Sequence, residues 1–299
     1  MKTLIIGGSG FVGHHMQALS PFPLDTKIIG SEVDIRNKNA IKQSILDFCP
    51  SYVVNLAAIS TVNESKVSPR HTYDVSFYGT LNILESLAEV SFNGTFLYIS
   101  SSEVYGHPDA KTLPLSENSK LSPMSPYAVG KLTAENICSY WAKISSYKII
   151  VARPFTHIGP GQSDRFSISS FAKQIAQIKS GCIDPVIKVG NLETTRDLTD
   201  VRDTVSAYWL LLEKGATGEI YNISSGIETS IGVTLKRLIQ LSDTDISIKV
   251  DSTRLRAAQQ QRILGNSDKV RRLTSWERKF ILDETLKSMI SYWMAKVSL

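Results

Sequence analysis

The stretch Thr3-Leu4-Ile5-Ile6-Gly7-Gly8-Ser9-Gly10-Phe11-Val12-Gly13 decides the fold. A short apolar run leads into glycines at Gly7, Gly10 and Gly13, and a helical pattern begins at Phe11. In such a strand–turn–helix unit the glycines allow a tight turn, close approach of the backbone to a pyrophosphate, and packing of the helix on the strand. The N–H groups at the helix start then face the phosphates. The stretch predicts a dinucleotide site, and a glycine turn without a ligand is the alternative.

Beyond this stretch, short apolar runs alternate with longer segments at helical spacing, which is the pattern of βαβ units. The further strand candidates are Lys27–Ile29, Tyr52–Leu56, Phe96–Ser100 and Lys148–Ala152. The helix candidates are Phe11–Leu19, Lys38–Phe48, Tyr73–Val90 and Pro126–Lys143. The strand runs are almost continuously apolar, as strands are when helices cover both faces of a sheet. The first half therefore predicts an α/β fold with a Rossmann-type doubly wound parallel sheet.

After about Pro154 the alternation loosens into loops and separate helices. The helix candidates there are Ser167–Lys179, Arg202–Lys214 and Asp283–Lys296. We expect a smaller C-terminal lobe over the carboxyl edge of the sheet. Residues 1–153 then form the first domain and residues 154–299 mainly the second, with some segments returning to the first.

The composition is that of a soluble globular protein, with 299 residues, 42% hydrophobic and 20% charged. The formal net charge of +5 is not gathered into a long basic run, and no nucleic-acid-binding signature accompanies it, so no nucleic-acid partner is expected. Cys49, Cys138 and Cys182 lie far apart without a C-x-x-C pair, which predicts buried reduced thiols and no metal site. The N-terminal apolar run is too short for a signal peptide or a membrane span, so we expect a cytoplasmic protein without a membrane partner.

The end of the second strand bears on the choice of cofactor. NAD dehydrogenases place an acidic residue just after this strand to bind the ribose hydroxyls. Here the strand ends in Ile29-Gly30-Ser31, and Glu32 follows slightly late. The sequence therefore favours NADPH modestly and keeps NADH as the alternative. Asp34 is a candidate for contact with the adenine, or for the cap of the next helix.

A second constellation follows the fourth strand. Tyr127 and Lys131 share one face of a helix that Ser125 caps and Pro126 begins. An ammonium near a phenol favours the phenolate and lowers its pKa, so that tyrosine can exchange a proton near neutral pH. Ser101 lies in a polar turn just past the carboxyl end of a strand, where parallel sheets bind ligands. It can donate a hydrogen bond to the carbonyl oxygen that the tyrosine protonates.

With these features placed, nearly the whole chain resembles the extended short-chain dehydrogenases/reductases, and in particular the subgroup that reduces GDP-4-keto-6-deoxy-D-mannose. Four segments carry the resemblance: Arg153-Pro154-Phe155-Thr156-His157-Ile158-Gly159-Pro160-Gly161-Gln162, the run from Asn191 to Asp203, Ala207-Tyr208-Trp209-Leu210-Leu211, and Tyr221-Asn222-Ile223-Ser224-Ser225-Gly226. The resemblance implies NADPH-dependent reduction of a GDP-linked 4-keto-6-deoxyhexose to a GDP-6-deoxyhexose. GDP-D-rhamnose for cell-surface polysaccharide is the favoured product, and a homodimer formed through two helices is implied as well.

The resemblance also assigns roles to residues. Ser101, Tyr127 and Lys131 would be catalytic, with Glu103 as a further catalytic candidate. The implied cofactor contacts are Gly7, Ser9, Gly10, Phe11, Val12, Gly13, Asp34, Ile35, Leu56, Ala57, Ala58, Lys131 and Pro154. The implied substrate contacts are Ser102 and Glu103 at the sugar, Thr156, and Arg196 and Arg256 at the pyrophosphate. Arginine suits phosphate because its planar fork donates two hydrogen bonds at once.

The chain departs from the family pattern at three places. Thr156 and Ser76 stand where asparagine is usual, and Ala257–Gln261 replaces a proline-containing stretch. Other readings therefore stay open: a 4,6-dehydratase using Glu103, a 4-epimerase, or a non-catalytic dinucleotide sensor. For Arg196 the alternative is a structural salt bridge to Asp197, Asp200 or Asp203.

Overall fold

The computed structural model describes residues 1–254 and 261–297. Its strands are β1 (Thr3–Ile6), β2 (Thr26–Ile29), β3 (Tyr52–Asn55), β4 (Thr95–Ile99), β5 (Lys148–Pro154), β6 (His157–Ile158), β7 (Val186–Val189), β8 (Thr195–Asp197), β9 (Thr199–Asp200), β10 (Ile220–Ile223), β11 (Glu228–Ser230) and β12 (Ser247–Val250). Its α-helices are α1 (Phe11–Ala18), α2 (Lys38–Phe48), α3 (Val62–Val67), α4 (Pro69–Tyr73), α5 (Thr80–Glu89), α6 (Pro126–Ile144), α7 (Ser167–Lys179), α8 (Val201–Lys214), α9 (Ile231–Ser242), α10 (Asp268–Thr274) and α11 (Leu282–Val297).

A six-stranded sheet in the order β10-β5-β4-β3-β1-β2 forms the centre, and every pairing in it is parallel. All residues of β1, β3 and β4 are buried. Alternate side chains feed two cores, one against α1 and α8 and the other against α2, α5 and α6. The predicted doubly wound parallel sheet is confirmed, because only helices on both faces can cover strands that are apolar throughout.

The five predicted strands all appear, with ends that differ by one or two residues from the prediction. The sixth strand, β10, comes from the second half of the chain and pairs with β5 at the edge of the sheet. The predicted helix Tyr73–Val90 begins earlier, at Pro69, and contains a π-helical turn over Asp74–Gly79. Glycine suits the end of that turn because a Cβ on Gly79 would lie 2.3 Å from the Ile35 side chain.

A third apolar core lies in the second half of the chain. It joins α7, α9 and α11 with β7, and the exposed strand β12 pairs with β7 in parallel. The antiparallel pair β8 and β11 lies beside it and carries Arg196. Two further short pieces, β6 and β9, connect this half to the end of β5.

The cysteine prediction is partly wrong. Cys138 is buried in the sheet core, but Cys49 and Cys182 are exposed, because they lie at the ends of α2 and α7 where the chain turns back towards solvent. All three are free thiols. Within the part of the chain that the structure describes, no helix is both long and apolar enough to cross a membrane, and no three potential metal ligands are grouped together.

Candidate active site

Helix α6 presents the tyrosine and the lysine from its first turns. The Ser125 hydroxyl accepts a hydrogen bond from the backbone N–H of Ala128 at 3.1 Å, and Pro126 occupies the first turn, as predicted. Gly130 allows α6 to lie close to the neighbouring helix, since a Cβ there would come within 2.9 Å of the Ser76 hydroxyl. Ser76, one of the departures from the family pattern, is thus a small buried residue at a close helix contact.

The Ser101 hydroxyl lies near enough to the Tyr127 phenol to act on its pKa. Ser101 lies just beyond β4 and also accepts the backbone N–H of Glu103 at 3.2 Å, which begins the 3-10 turn Ser102–Tyr105. Burial raises the pKa of Tyr127 to about 12, the Ser101 hydroxyl acts in the opposite direction, and the charge of Glu103 raises it further. The phenol is therefore protonated at neutral pH and able to donate.

Lys131 is held beneath this pair. Its Nζ donates to the carbonyl oxygen of Ile99 at 2.6 Å and lies 5.1 Å from the ring centre of Tyr98. The distance from Nζ to the ring centre of Tyr127 is 6.0 Å. Burial lowers the pKa of Lys131 to about 8, while the charge of Glu135 acts against the change. The expected lowering of the tyrosine pKa is not seen, because the ammonium is directed to a carbonyl and burial of the phenol dominates.

The glycine loop after β1 has the shape of a phosphate cradle. Gly7 has φ +74°, and a Cβ on it would lie 2.5 Å from the backbone of Ala57. A Cβ on Gly13 would lie 2.1 Å from the carbonyl oxygen of Gly8, so the first helix packs tightly on the turn. Gly10 caps α1, and within the described residues no side chain caps this helix start. Its N–H groups suit the pyrophosphate of a dinucleotide, so these residues fit the predicted cofactor.

The other predicted cofactor contacts divide into two groups. Leu56, Ala57, Ala58 and Pro154 follow or end β3 and β5 at the same sheet edge as the glycine loop, with Ser9, Phe11 and Val12 in or beside that loop. Phe11 is stacked on His157 with ring centres 6.1 Å apart, and so links α1 to the second half of the chain. The side chain of Ile35 is 5% exposed and packs in the core against Gly79, and its contact with the cofactor stays a prediction.

Asp34 and Glu32 also differ from the sequence interpretation. Helix α2 is capped by Asn37, which accepts the N–H of Ala40 at 3.2 Å, so the capping role considered for Asp34 is wrong. Asp34 instead forms an ion pair with Arg36 at 2.6 Å. The Glu32 carboxylate accepts the N–H of Gly30 at 2.6 Å, and this backbone hydrogen bond lowers its pKa. The turn at Gly30 thus brings the late carboxylate back beside the glycine loop, close to Ser9.

Glu103 and Arg196 form the candidate substrate side of the site. Burial raises the pKa of the half-buried Glu103, and the charges of Arg196 and His107 act against it. Burial also lowers the pKa of Arg196, and Glu103 opposes this. Ser102 is buried next to Glu103, and the carbonyl oxygen of the half-buried Thr156 accepts the N–H of Thr199 at 2.9 Å. Arg256 lies outside the described residues.

The three aspartates considered as salt-bridge partners of Arg196 make other contacts. Asp197 accepts backbone N–H groups from Ser225, Gly226 and Gly265 at 2.6, 3.0 and 3.1 Å. Asp200 pairs with Arg202, and Asp203 accepts the N–H groups of Lys279 and Phe280. These carboxylates fix the surrounding loops, and the charge of Glu103 opposes the effect of burial on the pKa of Arg196.

Sequence reasoning missed a buried ion pair behind the lysine. Glu135 and Arg153 are 1% and 2% exposed, and their charged groups approach to 2.6 Å. The signal was present in the sequence, because Glu135 follows Lys131 by one helical turn and so lies on the same face of α6. A carboxylate at that spacing, on a buried face, needs a partner inside the protein.

Comparison with known proteins agrees with this site. The chain matches the family model for GDP-mannose 4,6 dehydratase over residues 19–289. It is 36% identical to the GDP-6-deoxy-D-mannose reductase of Pseudomonas aeruginosa, covering 99% of this chain and 98% of that one. It is 27% identical to the GDP-6-deoxy-D-talose 4-dehydrogenase of Aggregatibacter actinomycetemcomitans, over 97% and 98%.

A solved structure, RMD from Pseudomonas aeruginosa complexed with NADPH, superposes with a TM-score of 0.92 at 35% identity and covers 99% of this chain and 100% of that one. Both the length of these matches and the level of identity exceed what a shared fold alone requires. The chain therefore belongs to the GDP-mannose 4,6-dehydratase-like family of extended short-chain dehydrogenases/reductases.

Proposed function

We propose that this protein reduces the 4-keto group of a GDP-linked 4-keto-6-deoxyhexose, with NADPH as hydride donor and NADH as the weaker alternative. GDP-D-rhamnose, a precursor of cell-surface polysaccharide, is the favoured product. One observation carries the proposal: Ser101 lies beside Tyr127, with Lys131 one turn away, at the sheet edge that also bears the glycine loop. The relative that is 36% identical, a GDP-6-deoxy-D-mannose reductase, supports the choice of substrate.

The chemistry follows from the protonation of these groups. Tyr127 is protonated at neutral pH and gives its proton to the carbonyl oxygen as negative charge develops there. Ser101, which lies beside Tyr127, donates to the same oxygen and stabilises that charge. When bound, NADPH supplies the hydride to carbon 4. Lys131 carries a positive charge below pH of about 8 and stabilises the tyrosinate that the proton transfer leaves behind.

The substrate is held by charged groups on the other side of Tyr127. Arg196 is a cation made costly by burial, which a diphosphate would compensate. We assign Arg256 to the same diphosphate from the family resemblance. Ser102, Glu103 and Thr156 are assigned to the sugar, Glu103 because it lies close enough to Tyr127 to influence its pKa.

The test is the loss of NADPH absorbance when the purified protein meets GDP-4-keto-6-deoxymannose. NADH and a dTDP-linked 4-ketosugar serve as parallel controls. Oxidation with the GDP sugar, faster with NADPH than with NADH, is the expected result. Equal rates with the dTDP sugar would contradict the assigned nucleotide, and no oxidation with either sugar would contradict the reductase.

A 4,6-dehydratase is the second candidate, and Glu103 favours it. Burial raises the pKa of this carboxyl beside Tyr127, as a group that exchanges a proton with a sugar carbon requires. A dehydratase would convert GDP-mannose to its 4-keto-6-deoxy product without net consumption of cofactor, whereas the proposed reductase leaves GDP-mannose unchanged. An epimerase would likewise turn over without net NADPH consumption, and a sensor would bind NADPH without turnover.

The two halves of the chain have different proposed roles. We assign cofactor binding to residues 1–153 and the nucleotide sugar mainly to residues 154–299, with β10 returning to the central sheet.

A homodimer through the helices beside α6 is supported by exposed apolar side chains there, including Tyr78 at 57% and Tyr140 at 60%. Light scattering should give twice the mass of the chain. We place the protein in the cytoplasm, where its three free thiols remain reduced.

A further inference from the structure

A closed polar network lies behind the catalytic lysine, on the side away from the expected substrate. The guanidinium of Arg153 grips the Glu135 carboxylate, with Nε donating to its two oxygens at 2.9 and 3.1 Å and Nη2 donating at 2.6 Å. The hydroxyl of Ser100 donates to the same carboxylate. At its far end Arg153 donates to the Tyr105 hydroxyl at 3.1 Å, which donates to Asn222 at 2.7 Å.

This network reaches Lys131 by two routes. Glu135 lies one turn beyond Lys131 on the buried face of α6, so its charge acts on the ammonium through a low-dielectric interior. The second route is the backbone, because the carbonyl that accepts the Lys131 ammonium belongs to Ile99, and Ser100 follows it directly. Glu135 therefore holds both the charge and the hydrogen-bond acceptor of the lysine in place.

We propose that Glu135, locked by Arg153 and Ser100, is a positioning residue that keeps Lys131 protonated and directed at the sheet edge. This role rests on the proposed reductase in one respect, because the positive charge of Lys131 must matter for turnover. Its function is electrostatic, because a buried lysine without a nearby anion gives up its proton too easily.

The groups around Lys131 support this assignment. On its own helix the charged and titratable neighbours are Glu135, Cys138 and Tyr127. Strand β4 contributes the Tyr98 ring, and β5 contributes Arg153 beyond Glu135. The turn after β4 brings Glu103 to Tyr127, and the helices packed on the outer side meet Gly130 through Ser76 and Thr72, which are uncharged. Glu135 is thus the anion on which the charge of Lys131 depends: burial lowers the lysine pKa to about 8, and Glu135 opposes it.

Substitution of Glu135 should lower the pKa of Lys131. Removing the carboxylate charge takes away the group that raises the lysine pKa and leaves the Arg153 cation nearby, so the pKa of Lys131 falls below about 8. Activity that needs the ammonium is then lost at a lower pH. For Glu135→Gln we expect the alkaline limb of kcat/KM to move down by about one pH unit or more, the size expected of a nearby charge. A move of one unit should lower the rate about fivefold at pH 8 and little at pH 6.

Two further variants separate positioning from stability. Tyr105→Phe breaks the far end of the same network, and we expect it to lower the melting temperature while leaving the pH profile in place. The double variant Glu135→Gln with Arg153→Met removes both buried charges and leaves no lone charge in the core. We expect it to fold even if Glu135→Gln alone does not. Its alkaline limb should still be shifted. A wild-type limb in the folded double variant would overturn the proposal.

A measurement without substrate makes the two proposals distinguishable. In protein with ¹⁵N-labelled lysine, the Nζ resonance that disappears in Lys131→Met reports the lysine directly. Its titration should move to lower pH in Glu135→Gln and stay in place in Tyr105→Phe. A moved resonance without turnover of any ketosugar would overturn the reductase and uphold the positioning role. An unmoved resonance in an active enzyme would do the reverse.

Discussion

Two glutamate–arginine pairs lie near the catalytic groups, and they are built differently. Behind Lys131, Glu135 and Arg153 are almost fully buried and meet in a bidentate contact. Burial opposes the charge of Arg153, but Glu135 outweighs it and raises the arginine pKa. Beside Tyr127, burial instead prevails over the attraction between Glu103 and Arg196, raising the pKa of the glutamate and lowering that of the arginine.

The difference separates a structural pair from a binding pair. A buried ion pair is tolerable when every donor and acceptor is used, as around Glu135. Burial that outweighs a nearby opposite charge, as at Glu103 and Arg196, marks a place where a charged ligand can bind. We therefore assign Glu135 and Arg153 to the internal structure of the enzyme, and Glu103 and Arg196 to binding of the substrate. Mutations can break this assignment, because the two pairs should fail in different measurements.

The largest effect on activity should come from Tyr127, the proposed proton donor. Tyr127→Phe removes the proton donor and should lower kcat by about 10²- to 10⁴-fold, the usual contribution of general acid catalysis. The dissociation constant for NADPH, measured by fluorescence, should be unchanged. Tyr292→Phe is the matched control, since this tyrosine lies on α11, which packs against α7 and α9. Full activity in the first variant would remove Tyr127 from the mechanism.

The structural pair should fail in a stability measurement. Arg153→Met leaves the Glu135 carboxylate buried without its guanidinium, which typically costs about 3–5 kcal/mol of unfolding free energy. Denaturation by urea, followed by circular dichroism, measures this directly. Adding Glu135→Gln should recover part of the loss, because no lone charge remains in the core. A loss below about 1 kcal/mol would show that water or rearrangement satisfies the carboxylate.

The substrate pair should fail in binding instead. Arg196→Met should raise KM for the GDP sugar by about 10- to 100-fold, the value of one charge-assisted hydrogen bond of about 1.5–3 kcal/mol. Its melting temperature should stay near that of the wild type. The control is Arg237→Met, which removes a surface arginine paired with Asp283. A lower melting temperature with an unchanged KM would make Arg196 structural and cancel the comparison.

The contrast also explains how far the sequence could be read. Patterns that repeat along the chain predicted the sheet, because the glycine loop and the apolar strands are local. Tyr127, Lys131 and Ser125 share one helix, so spacing alone placed them together. Contacts between distant segments were not accessible in this way.

Two carboxylates illustrate the limit. Glu135 meets Arg153 only because α6 packs on β5, and the spacing to Lys131 indicates a shared face without naming the partner. Glu32 follows the second strand slightly late in the sequence, yet a turn at Gly30 brings it back to the glycine loop. Backbone turns that reposition a side chain by one residue are not visible in a pattern of residue types.

Glu32 extends the comparison to the cofactor, with the smallest expected effect. Its carboxylate is exposed and its pKa is lowered by the N–H of Gly30, so it is ionised at neutral pH beside the loop that binds the dinucleotide. An anion at the end of the second strand favours a free ribose hydroxyl and repels a 2′-phosphate. Glu32→Gln should therefore raise the ratio of kcat/KM for NADPH to that for NADH by several-fold. Asp47→Asn, an equal change of charge on the exposed face of α2, should leave the ratio unchanged. If Glu32→Gln leaves it unchanged too, the carboxylate only holds the turn at Gly30, and cofactor preference is decided elsewhere in the loop.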